Sequence, residues 1–237
     1  MTADQRKRSI AAKPAAVQRP RKTRDAALAQ ATILGVARAH FVSQGFAGAR
    51  VDEIAAQSGY SKAMIYHYYG NKENLYVAVL EEVYKHFVAP RRVLNLAEVG
   101  PVRALEAFVR EGAASVRKDP AILNLLAIEN LNEAAYLRGS TVPRAIYPPL
   151  LTQLKEILDA GVQQGVFRAG IDPVQLYVAL SSVIFHAVSN RFTLSVTLGT
   201  DTASSAFLDR HVDMSVAMVI GYCTTSPRTG PARTVRK

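Results

Sequence analysis

Ala55, Gly59 and Ile65 lie in the stretch A-A-Q-S-G-Y-S-K-A-M-I-Y, and their spacing constrains the fold more than any other feature of the chain. Two short helices that cross closely need a small residue on the first, a glycine to turn the chain and an apolar anchor on the second. The first helix is expected from Val51 to about Gln57, with Val51, Ile54 and Ala55 turned inward. Ser61 can cap the second through its hydroxyl, and that helix runs through Ile65 to about Tyr69. The pair reads as a helix-turn-helix at about residues 49–68, a unit that sets its second helix in the major groove of DNA.

The rest of the chain is punctuated as helices. Ala27, Ala31, Leu34, Ala37 and Phe41 recur at helical steps and predict a first helix that Gly45 stops. Gly70 and Asn71 close the third helix and cap a fourth, which continues past Leu75, Val79, Val83 and Phe87. Beyond Pro90 the segments 101–118, 120–137, 149–164, 172–197 and 204–222 each read as a helix. Pro120, Pro149 and Pro173 suit first helical positions, Asp172 can cap, Gly165 and Gly170 flank a break, and 139–148 reads as a loop. No strand-like alternation is convincing. The expected fold is all-α, with an N-terminal three-helix helix-turn-helix domain and a larger helical domain behind it.

The 237-residue chain has a net charge of +10, and the excess lies at its ends. Residues 1–24 hold eight Lys/Arg against Asp4, and residues 228–237 hold four bases and no acid, which leaves −1 between them. Both ends are also rich in Pro, Ala, Ser or Thr, so 1–24 and 225–237 are expected to be flexible basic arms. They either solvate the protein or gather phosphates, and composition leaves both open.

Several function classes drop out. The single cysteine, Cys223, allows no intrachain disulfide, which fits the cytoplasm; near the end of the chain it reads as incidental. The most apolar run, 174–188, is interrupted by Gln175, two serines and His186 and falls short of a membrane span. No G-x-S-x-G elbow, Walker loop, H-E-x-x-H or paired-cysteine motif is present, so no catalytic residues, cofactor or metal are expected. Asp209, His211 and Asp213 alternate in steps of two, which on a helix turns the imidazole away from both carboxylates.

The aromatic run Y-H-Y-Y at 66–69 needs a reason in a chain without tryptophan. Ser61, Lys62, Ala63, Tyr66 and Tyr68 are expected on or near the groove side of their helix, and Ile65 and Tyr69 toward the core. Tyrosine hydroxyls can bond phosphate oxygens, and Lys62 can reach a phosphate or a guanine edge. His67 can pair with phosphate only when protonated. Lys72 aims an ammonium and a helix N-terminus at one point. The competing reading is that the rings only fill a small core, and it suits Tyr69.

The stretch G-F-A-G-A-R-V-D-E-I-A-A-Q-S-G-Y-S-K-A-M-I-Y-H-Y-Y-G-N-K-E-N-L-Y, residues 45–76, resembles the DNA-binding domain of the tetracycline-repressor (TetR) family of bacterial regulators. The likeness covers about residues 27–87. It implies a homodimer with a DNA-binding domain at 25–87 that grips a palindromic double-stranded operator. It further implies a domain at 88–224 that dimerises and binds a small-molecule effector, whose arrival releases the repressor from DNA. A regulator with no small-molecule effector is the alternative, and a helical enzyme a remote one. Carried onto this chain, the recognition contacts are Lys62, Ala63, Tyr66, His67 and Tyr68, with Lys72 on phosphate. Ala49 stands where the family has a hydroxyl residue, a loss of about 1 kcal/mol of capping, and Arg50 is expected to replace the missing phosphate contact.

In the larger domain, Leu123, Leu126, Ala134 and Leu137 form an apolar stripe that includes Asn130. A buried amide needs partners, either core neighbours or a ligand. Phe108, Tyr136, Tyr147 and His186 are the other candidates for an effector pocket. Ser182, His186, Ser189, Asn190 and Thr193 form a polar band that the resemblance assigns to the dimer interface ahead of a ligand.

Overall fold

The computed structural model describes residues 21–87 and 96–224, and among them every regular element is helical. The expected basic arms lie outside these residues except for 21–24, which already form the first turn of a helix.

Helix α1 (Arg21–Gly48) breaks its regular geometry at Gly45, whose φ of 70° ends the straight run where the sequence predicts. Its buried face is Ala29, Ile33, Ala37 and Phe41. The expected stripe is thus out of register, because Ala27 and Ala31 are exposed. Alanine drives burial weakly on any face, and the bulk of Ile33 decides the rotation. Helices α2 (Val51–Ser58), α3 (Lys62–Tyr69) and α4 (Lys72–Phe87) follow. Ile33, Phe41, Ile54, Ile65, Leu75 and Tyr76 are fully buried, so one side chain or more from each of the four helices closes the same core.

The larger part begins with a short helix α5 (Leu96–Val99) and continues with α6 (Pro101–Lys118), α7 (Ala121–Leu131), a 3-10 turn (Leu137–Gly139), α8 (Val142–Gln163), α9 (Pro173–Ser189), α10 (Arg191–Leu198) and α11 (Ser205–Thr224). Helix α6 buries Leu105, Phe108, Val109 and Val116 against α8, α9 and α11. Two ion pairs fasten it to α11, Arg110–Asp213 at 2.8 Å and Arg117–Asp209 at 2.5 Å. His211 turns to α9, where its Nε2 lies 3.1 Å from the Val183 carbonyl.

Three helix boundaries differ from the sequence pattern. Helix α7 stops at Leu131, and Glu133 and Ala134 take φ of 53° and 57°, so the stripe to Leu137 does not form. Helix α8 starts at Val142 and carries Pro148 and Pro149 inside it. The prolines remove two N–H groups, but the carbonyls left without partners belong to Arg144 and Ala145, both exposed to water. The expected helix 172–197 is two, divided at Asn190, whose side-chain amide donates to the His186 carbonyl at 3.2 Å and to Ser189 Oγ at 2.9 Å. Cys223, expected near a loose end, is fully buried, and its carbonyl accepts the Arg168 N–H at 2.8 Å.

Helices α1 and α4 are tied to the larger part at several points. Arg38 of α1 pairs with Asp119, Ser140 Oγ donates to Glu81 of α4 at 2.7 Å, and the Tyr136 ring lies 4.5 Å from Phe46 and 5.1 Å from Tyr76.

Candidate nucleic-acid interface

Helix α2 ends on Gly59, held at φ 73° and ψ 11°, a left-handed turn that costs a side-chain-bearing residue about 1–2 kcal/mol. The chain then re-enters a helix at Ser61, whose Oγ accepts the Met64 N–H at 3.2 Å. Gly70 closes α3 by donating to the Tyr66 carbonyl at 2.8 Å, and Asn71 Oδ1 accepts the Asn74 N–H at 2.7 Å to start α4. Each of these stops is short-range, so α3 is held at both ends while Ile65 anchors its inner side.

Fixing Ile65 inward exposes Ser61, Lys62, Ala63, Tyr66 and His67. Tyr66 and Tyr68 do not share that face. Residues two apart on a helix diverge by roughly 200°, and Tyr68 is half-buried against the core. Its ring lies 5.5 Å from His67 and 6.4 Å from Tyr69. Tyr69 donates to the Gln30 carbonyl at 3.3 Å, and burial pushes its phenol up to about 12.

The charges around α3 are arranged in ways the spacing did not reveal. Lys62 Nζ is 2.8 Å from Asp52 Oδ1 and 6.0 Å from the centre of the Tyr66 ring. The Lys62 hydrogen bond holds the Asp52 carboxyl below its ordinary range, and Asp52 in return holds the Lys62 ammonium above its own. Lys72 is half-buried, its ammonium 4.7 Å over the Phe46 ring and 3.4 Å from the Ala47 carbonyl. Arg50, not Ala49, is the residue at the N-cap of α2, and it makes no capping bond; Ala49 is buried and Arg50 exposed. His40, buried in α1, reaches α2 with its Nδ1 3.6 Å from Glu53 Oε2.

The five residues expected to line an effector pocket differ in their surroundings. Phe108 is 3% exposed in the core of the larger part. Asn130 is exposed and donates to the Leu126 carbonyl of its own helix at 2.8 Å, which removes it from any buried stripe. Tyr136 belongs to the Phe46–Tyr76 cluster, Tyr147 stands between Tyr84 and Tyr177 with ring centres 6.1 and 6.0 Å away, and His186 is exposed on α9. The buried polar side chain of α7 is Glu129, 2% exposed, which sequence reasoning passed over. One helical position separates it from Asn130, and only the rotation of α7 distinguishes them.

The outer side of α9 and α11 exposes Val178, Met218 and Tyr222 at 53%, 54% and 52%; Met218 and Tyr222 border a groove of about 360 Å³ floored by Leu176, Leu180 and Val219. Within the described residues no helix is long and apolar enough to cross a membrane.

Comparison with known proteins sets this geometry in context. Residues 33–79 match the family model described as bacterial regulatory proteins, tetR family, and residues 101–219 match that of the tetracyclin repressor-like C-terminal domain. The HTH-type transcriptional repressor NicS of Pseudomonas putida is 33% identical over 186 residues, covering 78% of this chain and 85% of its own. The HTH-type transcriptional repressor SCO4008 of Streptomyces coelicolor is 48% identical over 79 residues, 33% of this chain and 36% of that protein. In the crystal structure of HlyIIR, a hemolysin II transcriptional regulator, the fold recurs with a TM-score of 0.59 at 23% identity, over 85% of this chain and 99% of that one.

Proposed function

The chain belongs to the tetR family of bacterial regulatory proteins, and on that premise we propose that it is a cytoplasmic repressor that binds a palindromic operator as a homodimer and leaves it when a small-molecule effector binds. The observation that carries this reading is the outer face of α3. Ile65 is locked inward, and Ser61, Lys62, Ala63, Tyr66 and His67 are exposed on the side a groove can receive. In this reading Lys62 and Tyr66 meet base edges or phosphates, and Ser61, Ala63 and His67 border them. Tyr68 contributes from the flank through its hydroxyl, and Arg50 and Lys72 hold the backbone on either side.

The division of labour follows the chain: DNA contact in 25–87, and effector binding and dimerisation in 88–224. The apolar outer side of α9 and α11 supports dimerisation, with the polar band Ser182, His186 and Ser189 continuing the same exposed face. Two copies joined there hold two α3 helices at a fixed separation, so half-sites recur about one helical turn or slightly more apart. An effector that prefers a dimer with differently spaced heads releases the operator in proportion to that preference.

Selection of bound duplexes from a random pool tests the reading. Enrichment of a two-fold symmetric site, bound with a salt slope that shrinks by about one for Arg50→Ala, is the expected result. Enrichment of asymmetric sites, or no enrichment at low salt, contradicts it.

A further inference from the structure

Helix α10 holds an apolar knob out into solvent. Phe192 and Val196, one turn apart, are 65% and 84% exposed, and Leu198 at the end of the helix is 63% exposed. The knob is firmly built. Thr202, 1% exposed, donates from Oγ1 to the Arg191 carbonyl at 2.6 Å and from its N–H to Ser195 Oγ at 3.0 Å, and Ser195 Oγ itself donates to the Arg191 carbonyl at 2.8 Å. Arg191 donates to the Val188 carbonyl at 2.6 Å and lays its guanidinium 4.3 Å from the centre of the Phe192 ring. These bonds pin α10 to the end of α9, so Phe192 is presented with little freedom left to lose on binding.

The same chain holds a hollow of matching chemistry toward the other end of α9, the groove floored by Leu176, Leu180 and Val219 and bordered by Met218 and Tyr222. Between groove and knob the exposed face of α9 runs through Ala179, Ser182, His186 and Ser189, small or polar side chains three and four residues apart. Residues 173–190 contain no Asp, Glu, Lys or Arg, whereas Asp172 stands before the helix and Arg191 after it. The residues that follow α11 are poor material for the groove, since 225–237 hold four bases and a single large aliphatic side chain, Val235.

We propose that the groove receives Phe192 of a second copy, with the two α9 helices antiparallel about a two-fold axis at the level of Ile184. Such an axis sets Ser182 of each copy opposite His186 of the other, Ala179 opposite Ser189, and Leu176 opposite Phe192, and two-fold symmetry makes each contact twice. The small side chains at Ala179, Ser182 and Ser189 let the helices approach closely enough for α10 to reach across. Charge agrees with this direction, because an antiparallel pair turns the Asp172 end of one α9 toward the Arg191 end of the other. An aromatic anchor seated in an apolar pocket is the usual centre of a strong interface. The inference rests on the dimer of the proposed function and adds that α10 of the second copy completes the groove.

The test is made on the full-length protein. Phe192→Ser with Val196→Ser is expected to raise the dimer dissociation constant at least tenfold in sedimentation, with helix content unchanged because both side chains are exposed. Mixing the Phe192→Cys and Met218→Cys variants, with buried Cys223 left in place, is expected to give a link between α10 and α11 of different copies under a short bismaleimide, located by peptide mapping. Phe192→Cys alone is expected not to link, since the axis leaves its two copies roughly 24 Å apart along α9 at about 1.5 Å per residue. If the unaltered protein is a monomer, the dimer falls and this contact with it. If it is a dimer that Met218→Glu dissociates while the serine variant and the mixture show no effect, the α9 and α11 interface stands and the α10 contact is overturned. A link in Phe192→Cys alone overturns the antiparallel register.

Discussion

Lys62 is paired with Asp52 at 2.8 Å in the free protein, across the turn between the two crossing helices. Asp52 competes with DNA for the ammonium's donors, and in the proposed complex it also sets a negative charge beside the phosphates. Asp52→Asn removes both obstacles and is expected to raise operator affinity severalfold at low salt, measured by fluorescence anisotropy; an unchanged or lower affinity shows that Asp52 positions the lysine instead. Buried tyrosines make a second prediction at this scale. Tyr69 and Tyr84 have phenols raised from 10.0 to about 12 by burial. The folded state then holds those protons more tightly than the unfolded chain does. This contribution is fully present below about pH 10 and is lost as pH rises toward 12, so urea midpoints are expected to fall steadily across that window. A midpoint independent of pH there contradicts the burial of these hydroxyls.

At the scale of single elements, close approach matters more than propensity. A Cβ on Gly161 of α8 meets the Phe167 ring at 1.9 Å, and the Gly161 carbonyl accepts the N–H groups of Val166 and Phe167 at 2.9 and 3.0 Å. Gly161→Ala is therefore expected to expel a buried ring and to cost about 1–3 kcal/mol in denaturant titration, although alanine is the better helix former. The same contrast explains what could be read from sequence. Gly45, Gly59, Ser61, Asn71 and Asp172 act on their immediate neighbours, so the limits of α2, α3, α4 and the start of α9 were legible in advance. The rotation of α1, the early stop of α7 and the passage of α8 through Pro148 and Pro149 depend on neighbours distant in sequence. For the same reason Asn130 was mistaken for the buried polar residue in place of Glu129, and Tyr68 was set beside Tyr66.

For the whole molecule, two surfaces must act together. In the proposed function the exposed face of α3 contacts DNA, and the apolar outer side of α9 and α11 holds two such faces at a fixed spacing. Met218→Glu sets a charge into the groove side of α11 without touching α3 and is expected to convert a dimer to a monomer in sedimentation. It should also weaken operator binding far more than binding of random duplex, since one head still senses the phosphates. A variant that remains dimeric places the interface elsewhere. The ties between the two parts, Arg38–Asp119, Ser140–Glu81 and the Phe46–Tyr76–Tyr136 rings, are the contacts through which a change in the larger part can reach α3 and α4.

The most direct measurement of the central claim compares Lys62→Ala and Tyr66→Ala with the unaltered protein on its selected operator and on random duplex at several salt concentrations. Both side chains stand on the exposed face of α3, so melting temperature and helix content are expected to hold while operator affinity falls about tenfold or more and binding to random duplex changes much less. Operator affinity that survives both substitutions contradicts the assignment of α3 as the element that reads DNA.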